Sequence, residues 1–270
     1  MTTAFVRVRT SWIGAGAALA VLILDIVTKG WAVSALSDDS DIHIIWTLHL
    51  ALLHNEGMAF SAGTNIGPFI GMLAIVVIAI LLLIPVAYML GTFPSAVLIA
   101  RSRGIDITTT GSGNPGASNV GRLLGRKLGV LVFILDGLKG AISVGVGFLI
   151  AGYAGALALA CAAVVGHVFP VTRKFKGGKG VATAGGGMIA LYPLLGIAMT
   201  LLWLVTAKVT KKASLGSLAI AIGLPVSQII IGRPTGEVLT GVGLCAFVVW
   251  RHIPNLKRLV AGNETSLKTK

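Results

Sequence analysis

Along this chain, long apolar runs alternate with short polar breaks, and the run lengths match a lipid bilayer. A helix needs about 20 apolar residues to cross roughly 30 Å of hydrocarbon. Residues 12–36 form the first run, behind Arg7 and Arg9. It is too long for the core of a cleaved leader and reads as a retained span. A polar stretch with Asp38, Asp39 and Asp41 follows, and then residues 44–53, which carry His49. They are too few to span and suit an interfacial or β-like segment. Residues 68–100 form a very long run in which Pro85, Gly91 and Pro94 predict kinks. Residues 101–127 interrupt the pattern as a polar loop. Residues 128–171 are twice the length of one span, which predicts a helical hairpin turning near Gly152. A basic, glycine-rich loop covers 172–180, and further runs occupy 181–209, 213–231 and 238–250 ahead of a basic tail.

Topology turns on residues 181–209. As one helix, this run sends Lys208, Lys211 and Lys212 to the outer side. As two short helices bending at Tyr192–Pro193, it keeps them inside, and the bias of proline against helix in the preceding residue favours that break. The bent reading gives eight spans with both termini cytoplasmic. Every basic residue except Lys29, Lys139 and Arg233 then lies in a cytoplasmic loop or tail, while Asp38, Asp39, Asp41, Glu56 and Glu237 fall outside. That distribution obeys the positive-inside rule.

Composition sharpens the class. Of 270 residues, 55% are apolar and 11% charged, against about 25% charged in soluble domains. Disorder is excluded too, because disordered chains need low hydrophobicity and many charges. A mean hydropathy of +0.92 and 36 glycines complete the picture of an all-α polytopic membrane protein. The net charge is +13. No basic, aromatic-rich soluble module stands apart from the apolar runs, so nucleic acid is not the expected partner. Cys161 and Cys245 sit inside apolar runs, with neither a disulfide framework nor metal spacing, and no cofactor is expected.

Three same-side segments carry candidate chemistry. The first, residues 110–122, reads TGSGNPGASNVGR. Gly111, Gly113 and Gly116 match a dinucleotide pattern only formally, since no strand precedes them. Glycines still let backbone N–H groups approach an anion, Ser112, Asn114, Ser118 and Asn119 add donors, and Arg122 adds a planar fork suited to phosphate. The second segment runs from Gly166-His167 to Lys176, Gly177, Gly178, Lys179 and Gly180. It departs from the Walker pattern, yet cations interleaved with glycines make a phosphate cradle. Arg173, Lys174 and Lys176 are equally suited to anionic lipid, whereas Lys179 lies between glycines at the mouth of a helix. His167 fits a packed histidine as well as a reactive one. The third segment is Arg251-His252-Ile253-Pro254-Asn255 with its basic tail, and Ser214 and Ser217 enter a helix on the same side. Asp136 and Lys139, three apart within a span, form a pair expected to stabilise helix packing near the first loop.

These segments resemble, in order, the motifs of the bacterial acyl-phosphate:glycerol-3-phosphate acyltransferases, over roughly residues 73–264. The resemblance implies a seven-helix bundle that moves a fatty acyl group from acyl phosphate to the first hydroxyl of glycerol 3-phosphate. It implies that Ser112, Arg122, Lys179, His252 and Asn255 line the site. A serine of the helix starting at Ser214 joins them, with the spacing from Lys179 to His252 favouring Ser217. Ser118 stands where threonine is usual. The resemblance also implies lysophosphatidic acid and phosphate as products, in the bacterial inner membrane. Both substrates are phosphorylated, and Arg122 and Lys179 suit them. Asp106 and Glu264 are the sole acids expected in the cytoplasmic loops, so no Ser-His-Asp arrangement is evident. His252 or a substrate phosphate is left as the base.

Residues 1–66 lie outside that pattern and are expected to form a separate segment ahead of an acyltransferase domain at 67–270. Asp25, Thr28 and Lys29, with the Asn55-Glu56-Gly57 stretch, resemble the opening of the lipoprotein signal peptidases. The later motifs that carry that family's paired catalytic aspartates have no counterpart, and aspartyl chemistry needs two carboxylates sharing a site. A transporter or scaffold leaves three same-side phosphate motifs unexplained.

Overall fold

A computed structural model describes residues 3–36, 42–45, 48–50 and 67–267. The chain divides into two compact units, Met1–Gly71 and Met72–Lys270. In the first unit, helix α1 covers Thr3–Leu36, and strands β1 (Ile42–Ile45) and β2 (Leu48–Leu50) pair antiparallel, Ile42 opposite Leu50. The β-like expectation for this segment therefore holds, beginning two residues earlier. On α1, Lys29 donates to Asp25 at 2.8 Å. Asn55 and Glu56 lie outside the described residues.

The second unit is a helical bundle, entered through α2 (Gly67–Gly91) and the short α3 (Ser95–Arg101). Helix α4 (Ala117–Leu124) lies inside the stretch expected to be loop, so Ser118, Asn119 and Arg122 stand on a helix rather than in a coil. Its strong amphipathic pattern explains this: Val120 is fully buried against Val97, Ala100 and Ile107. Helix α5 (Arg126–Val168) breaks at Ala151 and Gly152, where φ of Gly152 is 56°, and folds back as the predicted hairpin. Then come α6 (Val181–Leu191), α7 (Pro193–Thr210), α8 (Ala213–Ile230), α9 (Thr235–Arg251) and α10 (Ile253–Val260).

Five stretches among the described residues are long and apolar enough to cross a bilayer: α1, α2 with α3, α5, α7 and α8. The expected eight crossing segments are all present as helices once α5 is counted twice, but two are short. At 1.5 Å per residue α6 extends only about 16 Å. Helix α9 reaches span length together with α10, from which it bends by 56°. Glycines let α5 and α6 approach closely. A Cβ at Gly140 would overlap the Thr183 carbonyl, and one at Gly186 would overlap that of Gly137.

The bundle has two distinct ends. At one, the turns of α5, α6/α7 and α8/α9 meet. Arg233 lies 5.0 Å over the Tyr153 ring and 4.7 Å over Tyr192, and it pairs with Glu237, which also accepts from the Tyr192 hydroxyl. At the other end, Lys179 before α6 and Ser214 at the start of α8 both join the tail after α9. Helices α6 and α7 therefore run antiparallel about Tyr192–Pro193, as the bent reading required. Tyr192, with φ −134° and ψ 77°, shows the restriction that proline imposes on its predecessor.

Candidate active site

Three polar segments converge at the second end. The first is held in shape by Asn119 from α4. Its amide oxygen accepts from the Ser112 N–H at 3.0 Å, and its nitrogen donates to the carbonyls of Thr110 at 3.0 Å and Ile107 at 3.3 Å. Gly111 and Gly113 are left-handed, with φ of 66° and 68°, and a side chain at 111 would strike the Asn119 amide. Arg122 donates from one nitrogen to Ser112 Oγ at 3.0 Å and Asn119 Oδ1 at 3.3 Å. Burial lowers its guanidinium below the ordinary value.

The second segment leaves α5 through Phe169. Tyr88 of α2 braces it, donating to the Phe169 carbonyl at 2.7 Å and accepting from the Val171 N–H at 3.1 Å. The chain then doubles back, with Gly177 and Gly178 N–H bonded to the carbonyls of Val168 and His167, each at 3.1 Å. Side chains at either glycine would overlap His167 or Val168. Lys179 projects from this turn and donates to Asn255 Oδ1. Burial, opposed in part by Glu264, brings its ammonium down to about 8; Arg258, Arg122 and Arg251 push the same way as burial.

The third segment supplies Asn255, whose nitrogen donates to Glu264 Oε1 at 2.6 Å. The same carboxylate accepts from Ser214 at 2.9 Å and Arg258 at 2.8 Å. Burial alone would raise Glu264, but the bonds from Asn255, Ser214 and Arg258 outweigh it and hold the carboxyl below its usual range. His252 is buried, with Nδ1 2.7 Å from the Val248 carbonyl. Burial, aided by Lys179, pushes its ring down to about 4. The neutral ring therefore donates through Nδ1 and offers the Nε2 lone pair as an acceptor.

These segments enclose a cavity of about 440 Å³, lined by Ser112, Gly113, Asn114, Gly177, Lys179, Arg251, Asn255 and Arg258 on the polar side and by Trp250 and Ile253 on the apolar side. Other expected residues stand back from it. Arg122 is turned onto Ser112, His252 lies buried between two lining residues, and Gly180 packs against Val164 and Val168. Gly116 precedes α4 as its cap, and Ser118 follows in the first turn. Asn119 spends its amide on the loop, so it shapes the cradle rather than lining it. Lys176 is exposed and does not line the cavity. Of the two serines, Ser214 joins the Glu264 network, whereas Ser217 donates to the Ala213 carbonyl at 3.2 Å and accepts from Trp203 at 3.1 Å. The sequence reading placed Arg251 in the third segment without giving it a role; it stacks on Phe169 and Trp250 and reaches the Gly178 carbonyl at 3.4 Å. The same reading named Glu264 as an acid of the tail but missed it as a hub. An acid inside a strongly basic tail was the available signal.

Apolar helices around a polar, cationic mouth with an apolar margin define the class: a polytopic membrane protein built to bring anionic groups to the bilayer surface. The family model described as glycerol-3-phosphate acyltransferase matches residues 80–262, and the chain belongs to that family. The glycerol-3-phosphate acyltransferase of Rubrobacter xylanophilus is 40% identical over 188 residues, covering 68% of this chain and 92% of that one. The Bacillus velezensis protein of the same name is 40% identical over 190 residues, 70% of this chain and 98% of its own. Two crystal structures of PlsY (YgiH), an integral membrane glycerol 3-phosphate acyltransferase, match at 37% identity over 70% of this chain and 95% of theirs. TM-scores are 0.67 for the glycerol 3-phosphate form and 0.66 for the lysophosphatidic acid form. A second family model, signal peptidase (SPase) II, matches residues 17–102. This region runs past residue 66, through α2 and α3.

Proposed function

We propose that the chain transfers a fatty acyl group from acyl phosphate to the sn-1 hydroxyl of glycerol 3-phosphate, releasing lysophosphatidic acid and phosphate. The observation that carries this reading is the convergence of Ser112 with Arg122, Lys179, and Asn255 with Glu264 around one cavity with an apolar rim. Two cations on separate loops suit two phosphates. Trp250 and Ile253, both exposed at the margin, suit the start of an acyl chain entering from lipid.

Acyl phosphate is already activated, so no protein nucleophile is needed. The glycerol oxygen attacks the acyl carbon, that C–O bond forms, and the bond from the acyl carbon to the phosphate oxygen breaks. Arg122 and Lys179 each hold one of the two phosphates, and the cation on the acyl phosphate stabilises the charge gathering on the departing phosphate. A ring that takes a proton only near pH 4 is poorly matched to accept one at neutral pH. A phosphate oxygen, with a second pKa of about 6, is better matched. His252 Nε2 then accepts a hydrogen bond from the glycerol hydroxyl and orients it. The loops face the cytoplasm of the bacterial inner membrane, in keeping with the positive-inside rule. Residues 1–66 form a separate anchor ahead of the acyltransferase domain at 67–270.

The direct test supplies purified protein with a long-chain acyl phosphate and labelled glycerol 3-phosphate, and scores lysophosphatidic acid. Absence of that product with both substrates present would overturn the reading.

A further inference from the structure

Beneath the two phosphate loops, inside the bundle, lies a second polar cluster that the proposed chemistry does not use. Asp136 and Lys139 project from the first arm of α5 and are 1% and 3% exposed. Lys139 donates to Asp136 Oδ1 at 2.6 Å and to the Phe93 carbonyl. That carbonyl belongs to the break between α2 and α3, where the chain is not helical. Ser95, the first residue of α3, donates to the same Asp136 oxygen, and His167 Nδ1 lies 3.7 Å from it. A small void of about 10 Å³ beside the cluster is bordered by Asp136, Lys139, His167, Pro115 and Gly178. The last two sit on the backs of the two phosphate loops, one beside Asn114 and the other beside Lys179.

Two mechanical paths leave Asp136. One runs through Ser95 into α3, whose Ala96, Val97 and Ala100 pack in one core with Ile107 and Val120, the floor of the Arg122 segment. The other crosses the 3.7 Å packing contact to His167, whose carbonyl bonds the Gly178 N–H and whose ring lies against the Gly178 Cα, so tightly that a Cβ there would overlap Nε2. Stability alone accounts poorly for such a cluster, because a buried ion pair replaced by apolar residues of similar volume is often neutral or stabilising. Charged groups inside a membrane-spanning bundle are also costly to keep there.

We infer that Asp136 is a positioning residue for acyl transfer: with Lys139, Ser95 and His167 it fixes the Arg122 loop and the Lys179 loop in one register. This rests on the assignment of those two cations to the substrate phosphates. Each loop retains its own internal hydrogen bonds without Asp136, so each still binds its phosphate. What is lost is the placement of one substrate against the other, on which the rate of a two-substrate reaction depends steeply.

The test uses the full chain carrying Asp136→Leu with Lys139→Met, which removes both charges together and leaves neither partner buried alone. The expected result is an unchanged melting temperature, KM for glycerol 3-phosphate close to wild type, and kcat lower by about 10²-fold, the scale of an ångström-sized misplacement. A merely structural pair would leave kcat of the folded protein at the wild-type value, whatever the melting temperature, and that result would overturn the inference. If the double variant does not fold, Ser95→Ala decides: a lowered kcat with KM intact supports the register, and unchanged kinetics refutes it. Arg122→Ala and Lys179→Ala are assayed alongside. Normal turnover in those two sinks the phosphate assignment itself, whereas their loss beside a fully active double variant sinks only the role of Asp136.

Discussion

Lys179 is the residue on which the proposed chemistry leans most, and its environment makes a measurable prediction. Its ammonium is brought down to about 8 by burial and by neighbouring cations. The charged form exists below that value, so kcat/KM is expected to fall as pH rises through about 8, because kcat/KM reports the free enzyme. A bound phosphate favours the cation, so the fall in kcat should lie at higher pH. Lys179→Arg keeps its charge across this range, and a pH–rate profile with the same alkaline limb in that variant would refute the assignment. Arg122→Ala and Lys179→Ala are each expected to lower kcat/KM by about 10²–10³-fold, the scale of losing one preorganised donor, or roughly 3–4 kcal/mol. Such residues were legible because phosphate recognition puts cations, glycines and small donors close together in sequence. Asn119 looked like one more donor, but nothing in the sequence says that its amide is consumed by Ser112, Thr110 and Ile107. Glu264 was illegible as a hub for the opposite reason: its partners Ser214 and Asn255 are 50 and 9 residues away.

At the scale of the elements, the α5/α6 crossing sets where Lys179 can stand. Gly137 and Gly140 on one helix face Thr183 and Gly186 on the other, with backbone against backbone. Gly140→Leu is therefore expected to force the helices apart at a cost of about 1–3 kcal/mol, typical of overpacking. Thermal melting in detergent would show it, and a melting temperature equal to wild type would contradict the close packing. Glycine content and apolar runs announced membrane helices. Hydropathy is continuous across Tyr192, so the shortness of α6, 11 residues, was legible only through the proline at 193 and the placement of the lysines after α7. Helix α4 was hidden: its polar face supplies the site, so its sequence reads as loop.

Across the second unit, the placement of three turns at one end and three polar segments at the other orients α5 to α9 relative to one another. Single cysteines at Tyr192 and Ser214 should be labelled from opposite sides of a sealed vesicle, with Ser214 reacting from the cytoplasmic face. Reaction of both from one side would break the antiparallel α6/α7 arrangement. The curated relatives align over 92% and 98% of their own lengths using 68% and 70% of this chain, and the family model begins at residue 80, past the first unit. A protein beginning at Gly67 keeps Tyr88 and all of α2, and it is expected to retain acyl transfer in the same assay. Loss of activity in a folded truncation would assign the first unit a part in the reaction.

The sequence by itself determined the membrane class, the alternation of spans and loops, the hairpin at Gly152, the bend at Tyr192 and the chemical type of the site. Each follows from local composition or from the short-range stereochemistry of glycine and proline. Tertiary structure decided which donors face the cavity and which are spent within the loops, that Ser214 rather than Ser217 shares a carboxylate with Asn255, and that Asp136 lies beneath both phosphate loops. Those outcomes depend on contacts between residues tens of positions apart, whose directions are fixed only when the helices pack.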